Sequence, residues 1–498
     1  MNVNPITRLD YPDPDVIRVE DTYYMVSTTM HFMPGCEILQ SFDLVHWEHA
    51  TYVYETLDHT DAQQLKSGQN IYGQGMWAAS LRYHEGRFYI CFVANDTRKT
   101  YLYTSEKIDG PWKKQLIEGF YHDGSLLFDE DGRNYIVYGN DEIWITELNE
   151  DLTAPKKDGL HRLLVSDHKN PELGYEGSHI QKINGYYYIF LIHSLRDRWM
   201  RTEACFCSDS LEGEFTGGDV LCDDRGYCGQ GVAQGGIVDT PDGKWYAMLF
   251  QDSGAVGRIP ILVPVTWKDH FPVFGQNGHV PEEIEVHSTR PGYIYQPLVG
   301  SDDFCNGLLP RWQFNHDPDP RYYHLDALQG TYTITTREVC TELTQAVNTL
   351  TQRMSYPSCA AEVTVDASAL KEGDVAGLCA LQGCYAAVGI TKHHGKYEVL
   401  MLDKKEDGIL DMTEGTVVES HQMDFRLEAD FCNMKDEARC YYRVNKGDWL
   451  PIGTVHKLYF KLDHFTGCRF GLFCYAAEET GGSACFRDFK YYDVDEIS

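Results

Sequence analysis

Apolar and polar positions along this chain alternate with a period of two, in short runs separated by Gly-, Asn- and Asp-bearing turns. Few stretches carry a 3.6-residue period, so the pattern predicts strands almost throughout. One run, INGYYYIFLIH at 183–193, has near-copies in EDTYYMVST from Glu20, HEGRFYICF from His84, EDGRNYIVY from Glu130 and PDGKWYAML from Pro241. Their second aromatic positions are Tyr24, Tyr89, Tyr135, Tyr188 and Tyr246, spaced 65, 46, 53 and 58 residues apart. A β-rich repeat of that length is the mark of a β-propeller, and five copies predict five blades. A second echo keeps the same order: SFDLVHWE, SEKIDGPW and SDSLEGEF place Ser41, Ser105 and Ser208 at 17, 16 and 20 residues past three of the tyrosines. These read as an outer strand and turn.

The inner strands of a propeller line its central channel, so equivalent positions converge. Eleven or twelve residues before each tyrosine stand Asp13, Trp77, Asp123, Glu176 and Gln234. Three carboxylates, an indole and an amide are thus expected around one channel mouth. Taken singly, each acid reads as a turn residue; the shared phase favours a site. Asp15 competes with Asp13, because residues two apart on a strand share a face. Trp77 has a competing role as core between blades. Crowded carboxylates raise one another's pKa, which keeps one protonated while another stays ionised. That is the division of labour needed to cleave a glycosidic bond: an acid for the leaving oxygen and a base for water.

A Pro- and Gly-bearing seam at 287–304 separates a first unit, 1–295, from a second, 300–498, whose short alternating strands predict a β-sandwich. No comparable acid phase occurs in the second unit. The net charge of −32 argues against a nucleic-acid partner. No apolar run is long enough to span a bilayer. Sixteen scattered cysteines without a CxxC pair, and a start without a basic or apolar leader pattern, are expected of reduced thiols in a cytoplasm, with a bacterial one as the expectation.

The stretches NPITRLDYPDPDVIRVEDTYYMVST, MWAASLRYHEGRFYI, HDGSLLFDEDGRNYIVYG, YEGSHIQKINGYYYIF and GRIPILVPVTWKDHFPVFG resemble, in order, glycoside hydrolase family 43, the β-xylosidases and α-L-arabinofuranosidases. VGSDDFCNGLLPRWQFNHDPDPRYYHL and NTLTQRM resemble the jelly-roll, concanavalin-like β-sandwich of its β-xylosidase branch. The resemblance implies an all-β chain: a five-bladed propeller, then a sandwich closing one side of the active-site mouth, which favours exo attack. It implies Asp13 as general base, Asp123 as pKa modulator and orienter, and Glu176 as general acid, acting by inversion. It places Trp77 and Arg258 at the sugar to be released, and Phe32, His31, His122 and Gln234 nearby. A salt bridge to a neighbouring blade is the competing role for Arg258. The expected substrate is a xylo-oligosaccharide or an arabinoxylan-derived chain, with activity on both pentosides and oligomeric state left open. No cofactor is required and no metal is assigned. Many relatives support a calcium ion at the axis through a His where Gln234 stands here, which puts calcium near Gln234 in doubt. The competing functions are a non-catalytic carbohydrate-binding propeller and a glycosidase of other specificity, such as a retaining fructan hydrolase, whose nucleophile motif is missing.

Overall fold

A computed structural model describes residues 3–413 and 415–493. Four four-stranded antiparallel sheets and a fifth with a split inner strand form five blades. Their inner strands are Asp15–Val19, Ser80–His84, Ser125–Phe128, Glu176–Ile183 and the pair Val232–Ala233 and Ile237–Asp239. The five repeated tyrosines all lie on second strands, within Thr22–Val26, Arg87–Ala94, Asn134–Asn140, Tyr186–Ser194 and Trp245–Asp252. Ser41, Ser105 and Ser208 end third strands rather than lying on outer ones.

Each blade's alternation buries side chains on both faces, and each junction between neighbouring blades holds an apolar cluster. Blades one and two share Val26, Ile38, Leu81 and Phe92; blades four and five share Phe190, Cys205, Leu249 and Val263. Full burial of one such side chain stabilises by about 1.5–3 kcal/mol. The ring closes where Val16, Tyr23 and Met25 of blade one meet Tyr246, Met248 and Leu262 of blade five. The N-terminal segment seals this junction. Asn4 exchanges two hydrogen bonds with the Leu262 backbone, and the Ile6 and Tyr11 amides donate to the Pro260 and Arg258 carbonyls.

The rest of the chain packs a nine-stranded sheet against a seven-stranded one. The nine-stranded sheet takes in a piece of the propeller: Phe32–Met33 pairs with Gln313–Asn315 of the sandwich. Ala255, Val256 and Ile259 of the propeller likewise enter the sandwich core beside Cys468 and Phe470. The two units therefore share buried apolar surface, which fixes the sandwich over one side of the channel mouth. No helix among the described residues is long and apolar enough to cross a membrane.

Candidate active site

A cavity of about 530 Å³ opens at one end of the channel, and Asp13, Trp77, Asp123, Glu176 and Gln234 all line it. The local backbone explains the convergence. Asp13, Asp123 and Gln234 have φ of 53°, 48° and 62°, left-handed values that L-residues seldom adopt. Each is a kink beside an inner strand, and the kink turns the side chain to the mouth. Gly177, with φ of 65°, leaves room beside Glu176: a Cβ there would lie 2.7 Å from the Gln234 side chain.

The three acids sit in different surroundings. Asp13 is buried, and both its oxygens accept hydrogen bonds, from Thr28 Oγ1 at 2.6 Å and from Arg258 Nη1 at 2.9 Å. Asp123 accepts the Gly177 amide at 2.9 Å. Burial pushes its carboxyl up to about 6; the His122 imidazole opposes that, while Glu176 and Asp13 add to it. Glu176 begins the inner strand of blade four, is partly exposed to the cavity, and accepts from Asn140 Nδ2 at 2.8 Å. His122 Nε2 lies 3.5 Å from Asp123 and 3.6 Å from Glu176. The Asp123 carboxylate, with help from Glu176, raises this imidazole to about 9 against its burial.

Arg258, on blade five, makes its salt bridge to Asp13 beside blade one at 2.9 Å, so the inter-blade ion pair named as its competing role is made inside the site itself. Its Nε and Nη2 are buried without a protein partner, as is Trp77 Nε1. Buried donors left unpaired in a polar cavity call for acceptors from a ligand. The sandwich supplies the apolar cover. Phe465 lies 4.3 Å from the Arg258 guanidinium carbon and 5.4 Å from the Trp77 ring, and Phe460, Met434 and Leu462 line the same cavity. Asp10 pins this cover, accepting the Arg258 amide on one oxygen and the Gly467 amide on the other, both at 2.8 Å.

Sequence reasoning missed Phe465, Phe460 and Asn140. None shares the blade phase: the first two come from the sandwich, and Asn140 ends a second strand. His31 and Phe32 were expected at the pocket and are not among the side chains lining it. Phe32 is pulled into the sandwich sheet, where the Arg469 guanidinium carbon lies 3.4 Å from its ring centroid. His31 is buried against Phe32, Tyr72, His316 and His464 at the same seam.

Calcium takes six to eight oxygen ligands. The residues at the axis do not fit it. Asp15, below the cavity, gives both oxygens to His179, Leu81 and Arg82, and the Arg82 guanidinium brings a positive charge to the axis. Beside Gln234, Glu203 accepts the Gln234 amide, and burial pushes its carboxyl well above the usual range, toward the neutral form. Among the described residues, His122, Asp123 and Glu176 bring ligand atoms within 4.8 Å of one another, a donor set whose imidazole suits transition metals better than calcium.

Comparison with known proteins agrees with this geometry. Residues 3–272 match the model of glycosyl hydrolases family 43, and residues 301–492 match that of the β-xylosidase C-terminal concanavalin A-like domain. A β-xylosidase of Formosa agariphila is 26% identical over 99% of this chain and 89% of that protein. A xylosidase/arabinosidase of Butyrivibrio fibrisolvens is 24% identical over 99% of both. The solved structure of a bifunctional GH43-CE protein of Bacteroides eggerthii superposes with a TM-score of 0.92 at 42% identity; the match covers 99% of this chain and 64% of that one. The chain belongs to glycosyl hydrolases family 43 and is a glycosidase.

Proposed function

We propose that this protein is an exo-acting, inverting glycosidase that releases α-L-arabinofuranosyl and β-D-xylosyl residues from the ends and branches of xylan-derived oligosaccharides. The observation that carries this is the set of three differently bonded acids around buried, unpaired donors. Asp13, with both oxygens accepting, serves as the base that takes a proton from water. Glu176, on the cavity wall, gives its proton to the leaving oxygen. Asp123, with His122, sets the charge beside Glu176 and orients it. Arg258 and Trp77 offer their free N–H groups to hydroxyls of the sugar to be released. Two pentoses can present similarly placed hydroxyls to such donors, which supports dual activity, as does the likeness to the Butyrivibrio xylosidase/arabinosidase. Phe465 and its neighbours close one side, which supports attack at chain ends. A cytoplasmic location belongs to the same proposal and rests on sixteen unpaired cysteines.

Initial rates on aryl β-D-xylopyranoside and aryl α-L-arabinofuranoside, with Asp13→Ala as the blank, test it. Cleavage of both by the wild type and of neither by the blank is expected, and the first-formed sugar should carry the inverted anomeric configuration by NMR. Inversion needs base and acid roughly 6.5–9.5 Å apart, with water between them. Retention of configuration, or a blank as active as the wild type, rejects the assignment.

A further inference from the structure

Trp199 has no role in the scheme above, yet it lines the same cavity with 44% of its surface exposed. An indole left open in a cavity wall is an available apolar plane. The turn that carries Trp199 is tied by hydrogen bonds, and an arginine lies beside the indole ring. That turn joins Tyr186–Ser194 to Arg201–Ser208 of blade four. Ser194 Oγ accepts the Met200 amide at 2.8 Å and donates to the Arg198 carbonyl at 3.2 Å, and the Leu195 amide donates to the Met200 carbonyl. The Arg201 guanidinium carbon lies 5.2 Å from the indole, and Arg201 Nε is fixed by Asp252 at 2.7 Å.

Its place in the blade gives the side of the cavity. The Ser194 amide donates to the Leu173 carbonyl at 3.0 Å, which ties this turn to the segment leading into Glu176. The indole therefore belongs to the side of the acid, where the leaving oxygen must sit. Arg258 pairs with Asp13, and Phe465 lies over Arg258.

Building on the glycosidase assignment above, we propose that Trp199 is the platform for the sugar that stays behind: the residue from which the terminal pentose is cut. A β-1,4-linked xylopyranose has its substituents equatorial and so presents flat C–H faces that match an indole. An arabinofuranose does not. The platform thus selects a xylopyranosyl leaving group, whichever pentose is released.

The test compares Trp199→Ala with the wild type on two substrate kinds. One is a short chain, xylotriose or arabinosyl-substituted xylotriose. The other is the matching pentosyl fluoride, whose leaving group is one atom and cannot reach the indole. Loss of the stacked area should lower kcat/KM on the chain about tenfold, mainly through KM, and on the fluoride by less than about twofold. Trp199→Phe should recover most of the loss. An equal fall on both substrates, or no fall on the chain, overturns the proposal. A wild type inert on both kinds overturns the glycosidase assignment itself, and the platform with it.

Discussion

Asp13 and Asp15 stand two residues apart, both buried and both paired with an arginine, and they serve different places in the same channel, one its mouth and the other its axis. Asp15 lies at the axis. Burial works to raise its pKa, but Arg82 and His179 outweigh it and hold the carboxyl below its ordinary value. Its partner Arg82 uses all five donors: two on Asp15 and the Leu81 carbonyl, one on the Leu126 carbonyl, and two on Ser125 Oγ and the Ile180 carbonyl. At the mouth, Arg258 reaches Asp13 through Nη1 and leaves Nε and Nη2 without a protein partner. A buried charge whose bonds are all made holds blades together. A buried charge with bonds left over is poised for something that arrives.

That contrast is open to a direct break. Asp13→Asn should lower kcat by about 10²–10⁴-fold, the usual worth of a general base, and should cost stability as well, because it leaves the buried Arg258 without its counter-charge. Asp15→Asn should cost stability alone. It leaves Arg82 without its counter-charge, a loss of about 3–5 kcal/mol for a broken buried pair, while the fraction that remains folded keeps its turnover. Denaturant unfolding and active-site-normalised rates on the two variants check both. If the two variants matched on both axes, the division between mouth and axis would fail. The sign with pH follows from the lowered Asp15 pKa: its stabilisation is present above about pH 3.9 and is lost as pH falls through the lower folded value.

A smaller effect probes the cover over the mouth. Phe465 belongs to the sandwich yet lies over Arg258 of the propeller. A desolvated cation–π contact is worth about 1–2 kcal/mol, so Phe465→Ala should lower stability by about that much, and by opening the site beside Arg258 to water it should lower kcat/KM as well. A fall in stability without a fall in kcat/KM would make Phe465 packing rather than site.

The blade count and the mouth were legible because a propeller writes its geometry as a period. Asp13, Trp77, Asp123, Glu176 and Gln234 share one phase, and all reach one cavity. The face rule that tied Asp13 to Asp15 failed for a local reason. The inner strand begins at Asp15, and Asp13 precedes it with φ of 53°, so alternation does not extend to it. His31 and Phe32 were misplaced because nothing in a propeller repeat announces that Phe32–Met33 is lent to another sheet. Phe465 and Asn140 were illegible for the complementary reason: contacts between distant segments carry no period.

The smallest effect concerns His122, the cation between the two remaining acids. Asp123 is the larger cause of its rise to about 9, Glu176 the lesser, and burial opposes both. A histidine raised in the fold adds stability that is fully present below its unfolded value near 6.5 and is lost as pH climbs through about 9. Asp123 has the same sign at lower pH: burial lifts it to about 6, so stability falls as pH rises between about 3.9 and 6. Near neutral pH the acids therefore have an imidazolium beside them, able to receive the charge left on Glu176 once its proton has gone. Asp123→Asn should move the His122 titration, followed by imidazole NMR, down toward 6.5, and Glu176→Gln should move it less. An unmoved titration in Asp123→Asn would mean that His122 takes its charge from elsewhere, and the coupling between modulator and acid would have to run through the Gly177 amide instead.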